Sequence, residues 1–171
     1  MIPNPVYFWR EFEVPYGFLS QWFACPFTVD GTTYATTEMW MMVQKARIFG
    51  DSEAEQQMLA TDDPETQRDL GRKVKGYDGK IWDQHKSRVV EDGNYHKFTK
   101  TRHDALMKVK LLATGDRELV EASPTDRIWG VGFAVDEAGQ NRDKWGLNLL
   151  GKAIMMVRDR LREEDGTRKP A

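Results

Sequence analysis

Cysteine is almost missing from this chain. Cys25 stands alone among 171 residues, which excludes an intrachain disulfide framework and a cysteine-based zinc site. Histidine is scarce, and His85, His96 and His103 fall at no metal-ligand spacing, so no metal is expected. No apolar run approaches the roughly 18 residues of a membrane span. No signal-peptide pattern follows Met1 either, and the expectation is a cytoplasmic protein with no membrane partner. A strong charge of one sign is also missing: the net charge of −2 gives no overall attraction to phosphate backbones or anionic bilayers. There is no internal repeat, no low-complexity block, and no nucleophile elbow, Walker A loop, dinucleotide glycine motif or His-Glu-x-x-His.

What is present is an ordinary globular composition, with 40% hydrophobic and 30% charged residues in a length that fits one domain. Six Trp, eight Phe, five Tyr and eight Met supply large, adaptable side chains for a core or a ligand wall. Val6–Phe12 reads as a short strand or extended arm. Pro26–Ala35 reads as a hairpin, because Asp30-Gly31 between β-favouring residues suits a tight turn. A helix follows, capped by Thr36. Ser52-x-x-Glu55 has the form of a capping box and starts a second helix. Asp63-Pro64 starts a third, which runs to about Arg72.

A basic, glycine-containing loop spans Lys73–Lys80. Ile81–Val90 is helical, Asp92-Gly93 reads as its end or as an irregularity in it, and Tyr95–Lys100 as its continuation in the second case. Thr101 caps a helix with a stripe of Ala105, Leu106, Val109, Leu112 and Ala113. Leu119–Ala122 and Ile128–Ala134 are β-like, Asp136–Asp143 is a polar loop, and Asn148–Arg162 is the last helix. The expected fold is mainly α (α+β), one helical domain over residues 1–162 with a small hairpin and short strands. Residues 163–171 read as a charged, frayed tail.

The stretch Tyr34–Lys45 carries the strongest signal. Met39, Trp40, Met41, Met42, Val43 and Ala46 leave the helix no polar face, and a helix apolar on every side is buried. Glu38 and Lys45 lie on one stripe of it, roughly 10 Å apart along the axis. Burying a carboxylate and an ammonium costs several kcal/mol unless each has a partner. A structural ion pair meets that need, and so does a ligand; composition by itself favours the ion pair. Cys25, between aromatics and beside Pro26, reads as a core thiol. The Arg68–Lys80 basic run reads as a solvated face, or as a rim that recruits phosphate. Trp129-Gly130 pairs a stacking surface with close backbone approach, and Asn148 with Gly151 at a helix start has the form of an anion site; core packing and ordinary capping are the plainer alternatives.

Five separated segments together resemble the NADAR family, the NAD- and ADP-ribose-associated domain that includes riboflavin-intermediate N-glycosidases. They are Tyr16 to Trp22; Val29-Asp30-Gly31 with Thr37-Glu38 and Gln44-Lys45; Leu70-Gly71-Arg72 with Trp82; Asp126 with Trp129-Gly130; and Asn148-x-Leu150-Gly151 with Met155 and Arg158. They cover about residues 6–162 in the family's order. The family's first motif reads Ser-Asn-Phe; here Ser20-Gln21-Trp22 lengthens the amide and enlarges the wall.

The resemblance implies cleavage of an N-glycosidic bond at ribose C1, with no cofactor. The implied substrates are ADP-ribose on guanine bases, of free nucleotide, DNA or RNA, or phosphoribosylamino-pyrimidine intermediates of riboflavin synthesis. A non-catalytic ADP-ribose-binding module is the third reading. The roles that follow are expectations. Glu38 stabilises the oxocarbenium-like carbon or activates water, Lys45 donates a proton or forms a Schiff base, and Asp126 is a second acid–base carboxylate. Gln21, Trp22, Trp82, Trp129 and Gly130 contact the substrate, with Trp82 and Trp129 as stacking walls; Arg72, Ser20, Asn148 and Gly151 hold phosphate.

Overall fold

The computed structural model describes residues 3–166. In chain order the elements are β1 (Val6–Phe8), a 3-10 turn (Gly17–Leu19), β2 (Phe27–Val29), β3 (Thr32–Tyr34), α1 (Thr37–Ile48), α2 (Ser52–Leu59) and α3 (Pro64–Gly71). There follow α4 (Gly79–Lys100), α5 (Asp104–Leu112), β4 (Leu119–Glu121), α6 (Val135–Ala138), a 3-10 segment (Gly139–Lys144) and α7 (Leu149–Glu164). This is the mainly helical fold with a small hairpin and short strands that the sequence led us to expect. The chain forms two compact units: one of Met1–Ser20 with Ala105–Ala171, the other of Gln21–Asp104.

The Gln21–Asp104 unit is built around α1. Asp30 and Gly31 take φ of 49° and 80°, so the β2–β3 hairpin turns where the Asp-Gly pair indicated. Thr36 then caps α1 by accepting from the Met39 N–H at 3.1 Å. All around the helix Met39, Trp40, Met41, Met42, Val43 and Ala46 are buried, against α2, α3 and α4. Trp40 packs on the hairpin ring of Tyr34 at 5.0 Å, and its indole N–H donates to the Val89 carbonyl at 2.9 Å.

That tryptophan explains one departure from expectation. Helix α4 runs unbroken through Asp92-Gly93, because Gly93 is where Trp40 lies against the backbone. A Cβ there would come within 2.5 Å of Trp40 Cδ1. A second departure is the start of α2: Asp51, not Ser52, caps it by accepting from Ala54 N–H at 3.1 Å. Asp63 and Pro64 start α3 as their order predicts.

In the other unit β1 and β4 pair in parallel, Val6 opposite Leu119 and Phe8 opposite Glu121. β1 is a short strand, as one of the two readings of Val6–Phe12 had it, and it stops at Phe8. Val120, Val131 and Ala138 form a small core with Tyr7, Phe133 and Trp145 against it. Residues 128–134 form no strand. Their carbonyls at Ile128, Trp129 and Gly130 instead accept from the N–H groups of Leu149, Leu150 and Asn148. In α5 the buried residues are Met107 and Leu111, while Leu106 and Val109 are exposed, so the apolar stripe read from the sequence faces outward. Of the expected tail, Glu163 and Glu164 continue α7, and residues 167–171 lie outside the described residues.

Lys97 of α4 is fully buried, its Nζ 5.5 Å from the ring centroids of Phe23 and Phe98. Desolvation lowers its pKa to about 7. The unfolded chain therefore binds more protons than the folded one between about pH 7 and 10.5. Below that window the cost of the buried charge is complete, and it disappears as pH rises through it. We expect thermal stability to climb by an amount on the order of a few kcal/mol across this range. Melting curves of Lys97→Met should lack the climb; an unchanged slope would show that Lys97 is not its source.

Candidate active site

Helix α1 carries a carboxylate in its first turn and an amine in its last, and the Gln21–Asp104 unit positions both. Glu38 is buried, 5% exposed. Its N–H donates to the Gln21 carbonyl at 3.0 Å, and the Thr37 hydroxyl donates to the same oxygen at 3.2 Å. The Gln21 side chain reaches the opposite way, its Oε1 accepting from Asn94 Nδ2 at 3.0 Å, while Asn94 also donates to the Val90 carbonyl at 2.9 Å. Gln21 thus ties the start of α1 to the middle of α4. Trp22 beside it stacks under the Arg68 guanidinium, 5.3 Å from its ring centroid.

Lys45, half-buried, faces two aromatic rings: its Nζ is 4.6 Å from the Tyr77 centroid and 5.5 Å from that of Trp82. Loss of water around the amine lowers its pKa most. The Glu38 charge opposes that by favouring the ammonium, and the Arg72 charge adds to the lowering. Glu38 and Arg72 are thus both near enough to act on the Lys45 charge, and Trp82 faces its amine. Trp82 is itself buried; Arg72 is exposed and lies 3.6 Å from Asp69.

Tyr77 and Asp51 were not foreseen. Tyr77 lies in the basic loop before α4, and its ring meets Phe49 edge-on at 5.4 Å. Asp51 is buried and serves two segments: Oδ1 caps α2, while Oδ2 accepts from the Lys75 N–H at 2.8 Å. Those N–H groups hold its carboxyl below the usual range. An aromatic set between Gly76 and Gly79 in a loop that otherwise reads as a charged face was the available signal.

The remaining predicted residues belong to the other unit. Asp126 Oδ1 accepts from the N–H groups of Ile128 at 2.9 Å and Trp129 at 2.8 Å, which closes the turn that presents the half-exposed Trp129. A Cβ on Gly130 would sit 2.7 Å from the Glu121 carbonyl oxygen, and one on Gly151 would sit 2.1 Å from that of Leu119. Asn148 does not cap α7. At φ 50° it turns its amide onto β4, accepting from Glu121 N–H and donating to the Leu119 carbonyl. In the first turn of α7 the Leu149 and Leu150 N–H groups donate to the Ile128 and Trp129 carbonyls. Ser20 is buried at the end of the 3-10 turn. Among the described residues no three His, Cys, Asp or Glu side chains gather as metal ligands, and no helix is long and apolar enough to cross a membrane.

Comparison with known proteins matches the NADAR domain to residues 7–162. The chain is 39% identical over 147 residues to N-glycosidase R617 of Acanthamoeba polyphaga mimivirus, covering 82% of this chain and 85% of that one. It is 31% identical to riboflavin biosynthesis protein VVA0006 of Vibrio vulnificus, covering 95% of this chain and 40% of the other. Among solved structures it is similar to Escherichia coli YbiA, with a TM-score of 0.76 and 28% identity over 99% of this chain and 92% of that one.

The charges around Lys45 make a signed prediction. Arg72→Ala removes an influence that lowers the amine pKa, so that pKa should rise; Glu38→Gln removes one that raises it, so it should fall. Titration of the Lys45 side-chain signal by heteronuclear NMR measures both. Shifts of the same sign in the two variants would contradict this electrostatic account.

Proposed function

The chain belongs to the NADAR family, and on that premise we propose that it is an N-glycosidase that hydrolyses a ribosyl C1–N bond, with ADP-ribose attached to a guanine base as its leading substrate. Similarity to proteins named as N-glycosidases supports a hydrolase in general terms. One observation supports the chemistry assigned to this site: a lysine amine of lowered pKa, flanked by two rings, on the same helix as a buried carboxylate.

Breaking the bond requires the electron pair of C1–N to leave with the base, and a new bond from C1 to oxygen of water. A lysine of lowered pKa suits the nucleophilic route, because it gives up its proton more readily than an ordinary one. Where the base nitrogen carries a lone pair, as an exocyclic amino nitrogen does, the ribose ring opens to a C1=N iminium. Lys45 Nζ adds at C1, the base departs with a proton, and water hydrolyses the lysine imine to return ribose and free amine. Glu38 supplies and accepts the protons, and its charge offsets the positive charge that develops at C1. In the alternative route Lys45 keeps its proton and delivers it to the leaving base, while Glu38 activates water. The exposed cations of the Arg72–Lys80 stretch supply attraction for the phosphates.

A second substrate class, phosphoribosylamino-pyrimidines, is favoured by the similarity to the riboflavin biosynthesis protein along nearly the whole of this chain. Product assays on both substrates, run beside calorimetry with free ADP-ribose, distinguish these readings; binding without product selects a non-catalytic reader. We expect Lys45→Ala and Glu38→Gln each to slow base release by at least about a hundredfold while melting cooperatively. Wild-type turnover in both would remove these roles. Borohydride should trap ribose on Lys45, read by intact mass. On the nucleophilic route kcat/KM rises with pH as the amine loses its proton, and Arg72→Ala moves that rise to higher pH.

A further inference from the structure

Two aromatic rings face the Lys45 amine, and they differ in what they leave open. Trp82 is only 8% exposed, whereas Tyr77 is 51% exposed. A half-exposed tyrosine on a surface loop is ordinarily mobile, yet this ring is braced by Phe49 and its loop is pinned two residues earlier. Phe49, which ends α1, holds the ring edge-on at 5.4 Å. Asp51 fixes the backbone two residues earlier by accepting the Lys75 N–H at 2.8 Å, and Lys75 Nζ pairs with Glu53 at 2.9 Å. Gly76, at φ 75°, supplies the backbone conformation that lets the chain turn from the pinned Lys75 to Tyr77.

The buried Asp51 carboxylate therefore joins the loop to the end of α1, where Lys45 is. An exposed ring held in place beside an amine is preorganised for a flat partner, since little side-chain entropy is left to lose when that partner stacks.

We infer that Tyr77 is the stacking wall for the purine or pyrimidine base that leaves C1, and that Asp51 is the positioning residue that holds it there. This rests on the N-glycosidase reading of the Lys45 site and adds where the base lies. Lys45 Nζ lies over this ring, 4.6 Å from its centroid, so a base laid on the exposed part of Tyr77 would have its departing nitrogen within reach of the amine.

The test is steady-state kinetics on ADP-ribosylated guanine nucleotide and on a phosphoribosylamino-pyrimidine, with ribose 5-phosphate as an inhibitor that carries sugar and phosphate but no base. Tyr77→Ala is expected to raise KM about tenfold or more, the scale of one base–aromatic stack. Tyr77→Phe is expected to recover most of that loss. Inhibition by ribose 5-phosphate should be unchanged, because it has nothing to stack. Asp51→Asn sets an amide N–H against one of the two backbone donors, and should raise KM in the wild-type background but add nothing in Tyr77→Ala. A wild-type KM in Tyr77→Ala, a parallel loss of ribose 5-phosphate inhibition, or additive effects of the two substitutions would each overturn the inference and leave the N-glycosidase reading intact. Absence of base release by the wild-type protein from either substrate would overturn the reading itself, and the inference with it.

Discussion

A helix with no face to offer water has to be enclosed, and α1 imposes that requirement on its whole unit. Trp40 and Met42 need backbone brought close, and the chain meets this with glycine at the contacts. A Cβ on Gly71 would overlap Met42 Sδ, and one on Gly93 would overlap Trp40. The neighbours α2, α3 and α4 then close around the rod. Because Glu38 and Lys45 are part of that rod, they are carried inward with it. Their ionisation is set by how much water the packing leaves them, and the lowered Lys45 pKa is the direct product of that enclosure. The free energy comes from apolar burial spread over many side chains. A site of this kind costs stability locally and is tolerated because the surrounding core is large.

Backbone polar groups at the ends of α1 determine the rest of the site. At the start, the Gln21 carbonyl accepts from Glu38 and its amide reaches Asn94, so the carboxylate-bearing turn is tied to α4. At the far end, Asp51 joins the start of α2 to the loop that carries Tyr77. These are hydrogen bonds from buried groups, which cannot be exchanged for water without loss, so they hold position more firmly than exposed ion pairs do. The chemistry we propose, with a sugar carbon between a carboxylate and an amine, would draw on rigidity of that sort.

Local signals written in a few consecutive residues were legible. The Asp30-Gly31 turn, the Thr36 cap, the Asp63-Pro64 start and the enclosed character of α1 all follow from chemistry that acts within a few positions. Signals that depended on a distant partner were misread. Gly93 looked like a helix break because Trp40 is far away in sequence. Ser52 looked like a cap because nothing local shows that Asp51 also holds Lys75. The stripe of α5 predicted the wrong face, since Met107 and Leu111 are the residues its neighbours cover. Asn148 had the form of a helix cap, but a left-handed backbone turned its amide onto β4.

The sequence by itself determined the helical class, the hairpin, the enclosure of α1 and the placing of Glu38 and Lys45 on one stripe, because periodicity and capping act through the nearest turns of chain. Tertiary structure alone decided that Tyr77 faces Lys45, that Trp82 is covered while Tyr77 is open, and that Asp51 holds the loop just before Tyr77. Those outcomes depend on which surfaces meet once the core closes. A side chain's exposure and the pKa of a buried amine are properties of everything packed around them, and no short stretch of residues carries that information.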